Sequence, residues 1–228
     1  MFFYDSTYFL VIIGFLLVAF ASSGVQSAFK IYSNVKSYRH YTGFDAARKI
    51  LDDNGLYNIR IEHIAGNLND HFDPSANVIR LSDATYNADS VAAIGVAAHE
   101  AGHAVQYAEN YAPIKIRNSI VPVVNICSTL SMPLFILGLI LGAAGLANLG
   151  IILFSGALVF QVITLPVEFN ASKRAIKILS SSAMLDEEEL RGAKKVLTAA
   201  AMTYVAAVLA SLLQILRLVL LSNRTRED

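Results

Sequence analysis

The chain of 228 residues is 55% hydrophobic and 16% charged, and its mean hydropathy is +0.50. This composition is too apolar for an ordinary soluble domain, in which charged residues make up about a quarter of the total. The formal net charge is zero, which argues against a nucleic-acid partner. The single cysteine, Cys127, excludes an internal disulfide and indicates neither an oxidising nor a reducing compartment.

The first apolar segment, residues 8–29, contains no charged residue and is long enough to cross a bilayer core of about 30 Å. No Lys or Arg precedes it, and the first cation, Lys30, follows it, which reverses the charge order of a signal peptide. The run Ala19-Phe20-Ala21 resembles a signal-peptidase site, so cleavage is the alternative. We interpret residues 1–29 as a retained first transmembrane helix.

The next stretch, residues 30–118, is polar to mixed in composition and long enough for one small domain. Thr42 to Asp45 predict the start of a helix, and Gly55 predicts its end. The alternating residues 58–62 predict a strand. The segment therefore predicts a small domain of mixed α and β structure.

A second part of this domain combines a hairpin with a helix. The turn-forming residues 73–77 predict a hairpin whose second strand is residues 78–81. The Ala-rich run of residues 90–109 predicts a helix, capped by Asn87 or Asp89. Its many small residues would let other elements approach its backbone closely.

Residues 99–103 within this helix read His-Glu-Ala-Gly-His, an H-E-x-x-H motif. On a helix, His99 and His103 project from one face, where two imidazoles can hold one Zn²⁺. Glu100 is rotated by about 100° from His99, so it can reach a water beside the metal and act as a general base. Such a short motif also arises by chance, and the alternative is two histidines on one helix face with ordinary hydrogen bonds and a solvated Glu100.

Residues 120–141 and 146–165 predict the second and third membrane spans. No charged residue lies between Ser119 and Val167, and the connection at residues 142–148 is short. We therefore interpret residues 119–166 as a transmembrane helical hairpin.

The chain continues through a connector, residues 167–196, that is helical in pattern. Residues 186–189 open a helix that runs into a fourth apolar segment, residues 197–222, before a short tail of residues 223–228. Arg217 interrupts this segment and either snorkels or faces the bundle. The predicted fold class is a mainly α membrane protein with about four transmembrane helices and a small α+β domain.

The distribution of basic residues predicts the orientation in the membrane. Of the 18 Lys and Arg residues, nine lie from Lys30 to Arg117 and six from Lys173 to Lys195. Both groups fall on the same side of the bilayer if all four segments span it. The positive-inside rule then predicts a multi-pass protein of the cell membrane with a cytoplasmic domain and connector and an exterior N-terminus.

A catalytic zinc site needs a third ligand beside the two motif histidines. This ligand must be a carboxylate or one of the three remaining histidines, which are His40, His63 and His71. Glu168 follows the third span and returns to the face of the membrane from which the motif helix departs. Two His, one Glu and an open position form a standard catalytic zinc set. The alternative is an interfacial Glu168 paired with Lys173 or Arg174.

The chain resembles the YugP-type membrane zinc metallopeptidases, which are related to the HtpX-like gluzincins. The resemblance covers nearly the whole chain and depends on six segments, which are GFDAARKIL at 43–51, DHFDP at 70–74, VIRLS at 78–82, AAHEAGHAVQ at 97–106, LPVEFNAS at 165–172 and GAKKVL at 192–197. It implies a gluzincin-like domain, a zinc cofactor held by His99, His103 and Glu168, and Glu100 as catalytic base. HtpX-like enzymes carry an Asp four residues after the ligand Glu, whereas this chain has Ser172, so the group that orients the ligand histidines is open.

The predicted function is zinc-dependent endopeptidase activity on polypeptides at the cytoplasmic membrane surface, with membrane protein quality control as a candidate role. The oxyanion needs a second donor besides zinc. His71 is the first candidate, although it could instead stabilise its own turn through Asp70 or Asp73. The other candidates are Asn170, Arg174 and Tyr111. Residues 78–81 are the candidate edge for an extended substrate, with an ordinary core strand as the alternative.

Other functions fit the residues less well. A non-catalytic membrane scaffold or chaperone subunit with a zinc site has no need of Glu100, the predicted base. Intramembrane proteolysis is disfavoured because polar residues flank the motif helix. A cation transporter is disfavoured because the spans contain almost no carboxylates. The expected partners are a polypeptide substrate, the lipid bilayer, and partner proteins or further copies of the chain.

Overall fold

The structure, a computed structural model, describes residues 6–227, with side chains described up to residue 223. The predicted exterior residues 1–5 and the side chains of the predicted tail beyond residue 223 lie outside this part. The described elements, in chain order, are α1 (Tyr8–Tyr32), α2 (Gly43–Asp53), β1 (Arg60–Ile64), β2 (His71–Asp73), β3 (Val78–Ser82), α3 (Val91–Ala108), α4 (Ala112–Ile140), α5 (Ala144–Ser181) and α6 (Glu187–Glu227).

Four of the described helices are long and apolar enough to cross a membrane. They are Tyr8–Tyr32, Ala112–Ile140, Ala144–Ser181 and, within α6, Glu187–Asn223. The predicted fold class, mainly α with a small α+β portion, is therefore confirmed. The third span and the segment that follows it form one helix of 38 residues, α5, which continues past Pro166. This helix is about 57 Å long, which exceeds a bilayer core of about 30 Å.

The chain divides into two compact units. Unit 1 comprises Met1–Ser22, Ile116–Pro166 and Thr203–Asp228. Within it, α4 and α5 pack closely at glycines, since a Cβ on Gly150 would lie 2.7 Å from the Phe135 nitrogen. A small buried cluster forms around Phe135, Ala147 and Leu218.

Unit 2 comprises Ser23–Lys115 and Val167–Met202. Its first helix, α2, begins as predicted with a capping box, in which Thr42 and Asp45 each bond the other's backbone N–H. After α2, Gly55 adopts a φ of 72°, a left-handed conformation that suits glycine. The apolar face of α2 packs into the core of unit 2.

The three strands of unit 2 form a sheet with the order β1-β3-β2. β3 pairs with β1 in parallel and with β2 in antiparallel orientation, so the predicted hairpin is present and β3 is central. The prediction that residues 78–81 form an edge for substrate is therefore wrong, because β1 covers their second side. The strand that borders α3 at the edge of the sheet is β2.

Helix α3 forms the centre of unit 2. Its N-cap is Ser90, whose side chain accepts a hydrogen bond from the Ala93 N–H. The predicted caps Asn87 and Asp89 are wrong, and the Asp89 carboxylate instead lies 3.3 Å from the Lys36 ammonium. A Cβ on Gly102 would lie 2.9 Å from the Ala171 carbonyl oxygen, so α5 approaches the α3 backbone as the small residues predicted.

Candidate metal centre

Two helices of unit 2 bring three potential metal ligands together. α3 presents His99 and His103 one turn apart, and α5 contributes Glu168, which is 3% exposed. The Glu168 Oε2 atom lies 3.2 Å from His99 Nε2 and 3.5 Å from His103 Nε2. The two Nε2 atoms lie 3.1 Å apart. Among the described residues, these three side chains form a group that could hold a metal ion.

The spacing of the three atoms fits a tetrahedral zinc ion. Zinc bonds of about 2.0–2.1 Å in tetrahedral geometry separate neighbouring ligand atoms by about 3.3 Å. The observed separations of 3.1, 3.2 and 3.5 Å bracket this value. Two imidazoles and a carboxylate are also donors that zinc prefers over magnesium or calcium.

The electrostatic potential at the site favours a cation. Burial by itself lowers the pKa of the His103 imidazole, but the hydrogen bond with Glu168 and the charge of Glu100 outweigh burial and raise that pKa. The negative charge that favours a proton on the ring also favours a divalent cation between the ligand atoms. The donor set, its spacing and its potential therefore all fit zinc.

A glutamine orients one of the two histidines. The Nδ1 atom of His103 lies 3.0 Å from Oε1 of Gln106. Because the amide oxygen only accepts, Nδ1 carries a proton in both charge states of the ring. In the neutral ring, Nε2 therefore has the lone pair, which faces His99 and Glu168. This is the tautomer that binds a metal through Nε2.

A hydroxyl has the equivalent place at the other histidine. Ser172 Oγ lies 3.1 Å from Nδ1 of His99 and can accept its N–H. The residue that departs from the HtpX-like pattern thus contacts a motif histidine directly. Both orienting groups in this chain are neutral, where a carboxylate is the frequent choice.

Glu100 lies on the neighbouring face of α3 and is 8% exposed. Its Oε2 atom accepts a hydrogen bond of 3.0 Å from the backbone N–H of Phe72 in β2. Burial raises the pKa of the Glu100 carboxyl, and the charges of His99 and His103 oppose this shift in part. A carboxylate with a raised pKa is a stronger proton acceptor, which suits a general base.

His71 lies on the face of the sheet away from the core. Its strand neighbour Phe72 packs against the core, and successive side chains of a strand point to opposite faces. The His71 ring contacts the Asn69 carbonyl at 2.9 Å and the Arg80 guanidinium at 3.3 Å. The structure therefore does not bring the first predicted oxyanion donor to the metal-ligand group.

The other predicted oxyanion donors belong to a polar network beside the site. Nε of Arg174 donates to Asn170 Oδ1 at 2.7 Å, and its Nη1 donates to Glu109 Oε2 at 2.6 Å. The guanidinium also lies 5.9 Å from the centre of the Tyr111 ring. Arg174, one of the two alternative partners predicted for Glu168, pairs instead with Glu109. The alternative pairing of Glu168 with Lys173 stays a prediction.

The remaining histidines of the chain are His40 and His63. His40 and His63 are exposed and lie beside Asp89 and Asp83 respectively. Sequence reasoning missed Gln106 and the Phe72 N–H as parts of the site. Gln106 lies three residues after His103 and hence on the same helix face. The contact of the Phe72 N–H with Glu100 leaves no signal in the sequence, because it depends on where the hairpin packs.

Comparison with known proteins defines the class of protein. A sequence family described as "Putative neutral zinc metallopeptidase" matches residues 7–223. The match covers nearly the whole chain, so the chain belongs to this family and its cofactor is zinc. The predicted family is thereby confirmed.

A relative from Bacillus subtilis (strain 168) carries the name "Putative membrane protease YugP". It is 47% identical over 220 residues, which cover 96% of this chain and 98% of the relative. No solved structure matches the chain. Together with the four apolar helices, these similarities identify a membrane protein of a zinc metallopeptidase family.

Proposed function

We propose that the protein is a zinc-dependent endopeptidase whose metal ligands are His99, His103 and Glu168. The observation that carries this proposal is the convergence of the three ligand atoms within 4.8 Å of one another, on helices that also place Glu100 beside them. A scaffold with a structural metal site would need a closed ligand set. Three protein ligands leave a coordination position open for water, which a hydrolase requires.

Bound zinc would polarise the scissile carbonyl and lower the pKa of a water molecule to about 7. Glu100 takes the proton of the attacking water and passes it to the amine that leaves. Its partner, the Phe72 N–H, holds one carboxylate oxygen in place and leaves the other for the proton. His103 and His99 keep their Nε2 lone pairs toward the ligand group through Gln106 and Ser172.

β2 is the strand to which we assign substrate binding. Phe72 directs its N–H to Glu100 and therefore away from β3, so its carbonyl group also points away from β3. An extended polypeptide can pair with this carbonyl by adding a strand to the sheet. Such main-chain pairing suits misfolded or membrane-adjacent polypeptides, which is consistent with a role in membrane protein quality control.

Metal content and hydrolysis test the proposal separately. Purified protein should hold one zinc, His103→Ala should lose it, and His63→Ala should retain it because His63 pairs with Asp83 at the surface. Glu100→Gln should keep the zinc but cleave casein about 10²–10⁴-fold more slowly. Glu187→Gln, in the first turn of α6, is the matched control with full activity. Equal cleavage by wild type and Glu100→Gln would show that the protein is not the peptidase.

We also propose that unit 2 is cytoplasmic, because it contains 14 of the 18 Lys and Arg residues of the chain. Single cysteines placed at Ser181 and at Gly145, in a Cys127→Ser background, test this orientation. Both positions are exposed, and they lie at opposite ends of α5. An impermeant maleimide should label position 145 in intact cells and position 181 only after lysis. The reverse pattern would place the site outside.

A further inference from the structure

We propose that Gln106 is a positioning residue that sets the tautomer of His103 and aligns the two helices that carry the metal ligands. This inference rests on the proposed zinc site and extends it to a side chain that does not touch the metal. Gln106 is fully buried, so water cannot replace its hydrogen bonds. All three of the described side-chain hydrogen bonds of Gln106 involve the site or the turn of α5 that carries Glu168.

The direction of the Gln106 amide is determined by its partners. Its Nε2 donates to the Val167 carbonyl at 2.9 Å and to Asn170 Oδ1 at 2.9 Å. A flipped amide would place its oxygen against two oxygen acceptors. The amide oxygen therefore faces Nδ1 of His103, which it can only accept from.

The direction of the Asn170 amide is determined in turn by Arg174. A guanidinium has only donors, so the Asn170 atom at 2.7 Å from Arg174 Nε must be its oxygen. Arg174 is itself anchored by Glu109 at 2.6 Å. The donor and acceptor of each hydrogen bond are thus determined from the charged pair of Arg174 and Glu109, through Asn170 and Gln106, to the buried His103 imidazole.

The same side chain also connects the two ligand helices. Val167 and Asn170 lie on either side of Glu168 in α5, and Gln106 lies one turn after His103 in α3. Hydrogen bonds from Gln106 therefore hold the turn that bears Glu168 at a defined position against the turn that bears His103. The amide is neutral, so it orients the His103 ring without adding charge to the site.

Two substitutions at Gln106 separate positioning from a merely structural link. Gln106→Leu removes the acceptor for His103 and both donors to α5. Gln106→Glu removes the donors but keeps an acceptor for the His103 N–H. Neither variant keeps both donors to α5, and the ionised side chain introduced in Gln106→Glu would also repel the Val167 and Asn170 oxygens. A merely structural role therefore predicts that Gln106→Glu weakens zinc binding at least as much as Gln106→Leu.

The measurement is competition for zinc between the purified full-length protein and a chromophoric chelator. We expect the zinc Kd to rise about 10–100-fold in Gln106→Leu. In Gln106→Glu it should stay within about threefold of wild type, since outer partners act through the ligand they orient. Cobalt substitution gives a second readout, because the absorption of the bound ion should change in Gln106→Leu alone. Equal affinities in the two variants would overturn the inference.

A second pair of substitutions covers the case in which Gln106→Leu does not fold. Asn170→Asp keeps an oxygen for both Gln106 and Arg174 and should leave zinc affinity unchanged. Asn170→Leu removes that oxygen and should weaken zinc binding several-fold, although less than a change at Gln106; equal affinity in these two variants would also overturn the inference. His103→Ala separates the two proposals. If this variant retains zinc, the proposed metal site is wrong. If it loses zinc but neither pair of variants differs in zinc affinity, only the role of Gln106 is wrong.

Discussion

The two units of the chain treat their large apolar side chains in opposite ways. In unit 1, Phe20 is 83% exposed and Ile152 is 66% exposed. In unit 2, Leu51, Ile79 and Ile94 are fully buried. Unit 2 thus has the contiguous core of a water-soluble domain, whereas the buried cluster of unit 1 is small.

The difference shows that the units depend on different solvents. Burial from water stabilises unit 2 by about 25 cal/mol for each Å² of apolar surface. Unit 1 exposes apolar surface on its outside, which is favourable only when lipid surrounds that surface. The helices α5 and α6 each contribute residues to both units.

The largest effect should come from emptying the core of unit 2. Leu51→Ala removes a fully buried side chain and should cost about 2–5 kcal/mol of unfolding free energy. Leu149→Ala, at a position in unit 1 that is 45% exposed, should cost less than about 0.5 kcal/mol. Denaturant unfolding in detergent, followed by circular dichroism, measures both. Similar costs would show that unit 1 has a core of its own.

Placing a charge on an exposed apolar position tests the solvent directly. Ile152 and Tyr57 are exposed to a similar extent, 66% and 74%. Ile152→Asp should oppose membrane insertion by about 2.5–3.5 kcal/mol, because it places a carboxylate in lipid. Tyr57→Asp should have almost no effect, because that position faces water. The fraction of protein in the membrane pellet is the readout, and equal fractions would contradict the assignment of unit 1 to the bilayer.

A methyl group at the contact of α3 with α5 should have a smaller effect. A Cβ on Gly102 would lie 2.9 Å from the Ala171 carbonyl oxygen, so Gly102→Ala should destabilise unit 2 by about 1–3 kcal/mol. Apart from its own helix and chain neighbours, no atom of the described residues lies within 4 Å of the equivalent Cβ on Gly145 in unit 1. Gly145→Ala should therefore stabilise its helix by about 0.5–1 kcal/mol. The measurement is the thermal unfolding midpoint of each variant. A shift of both midpoints in the same direction would contradict the expected difference between Gly102→Ala and Gly145→Ala.

Acid should affect unit 2 more than unit 1, with the smallest effect of this series. The Arg80 hydrogen bond lowers the pKa of Asp73, and the Gly66 N–H and His63 lower that of Asp83. Groups with lowered pKa stabilise the fold above their unfolded pKa of about 3.9, and this contribution is lost as the pH falls through the folded value. Unit 1 has no carboxylate between residues 119 and 167.

Hydrogen exchange resolved by peptide can follow the two units separately between pH 6 and pH 3. Protection in the sheet of unit 2 should fall below about pH 4, whereas protection in α4 should not. Asp73→Asn should remove part of the acid dependence by abolishing the charged hydrogen bond to Arg80. An unchanged pH profile in that variant would exclude Asp73 as a source.

Sequence reasoning succeeded where the information was local. The capping box at Thr42 and Asp45 depends only on residues three apart, and the structure contains it. The apolar segments predicted four long helices, because span length and composition are properties of each segment alone. The motif spacing placed His99 and His103 on one helix face for the same reason.

It failed where pairing across the fold decides the outcome. Residues 78–81 read as a possible edge strand, but the parallel partner β1 makes them central. His71 was the first candidate for the oxyanion donor, yet the alternation of side chains along β2 directs it to the face away from the core. The N-cap of α3 is Ser90, one residue after the predicted Asp89, which lies beside Lys36.

By itself, the sequence determined the membrane class, the family and the candidate ligand set His99, His103 and Glu168. These follow from composition, helical periodicity and motifs that belong to single segments. Only the tertiary structure decided how the ligands are oriented. The Gln106 amide acquires its direction from Val167, Asn170 and, through the latter, Arg174, which lie far away in the chain. Hydrogen-bond polarity of this kind exists only once α3 and α5 have packed against each other.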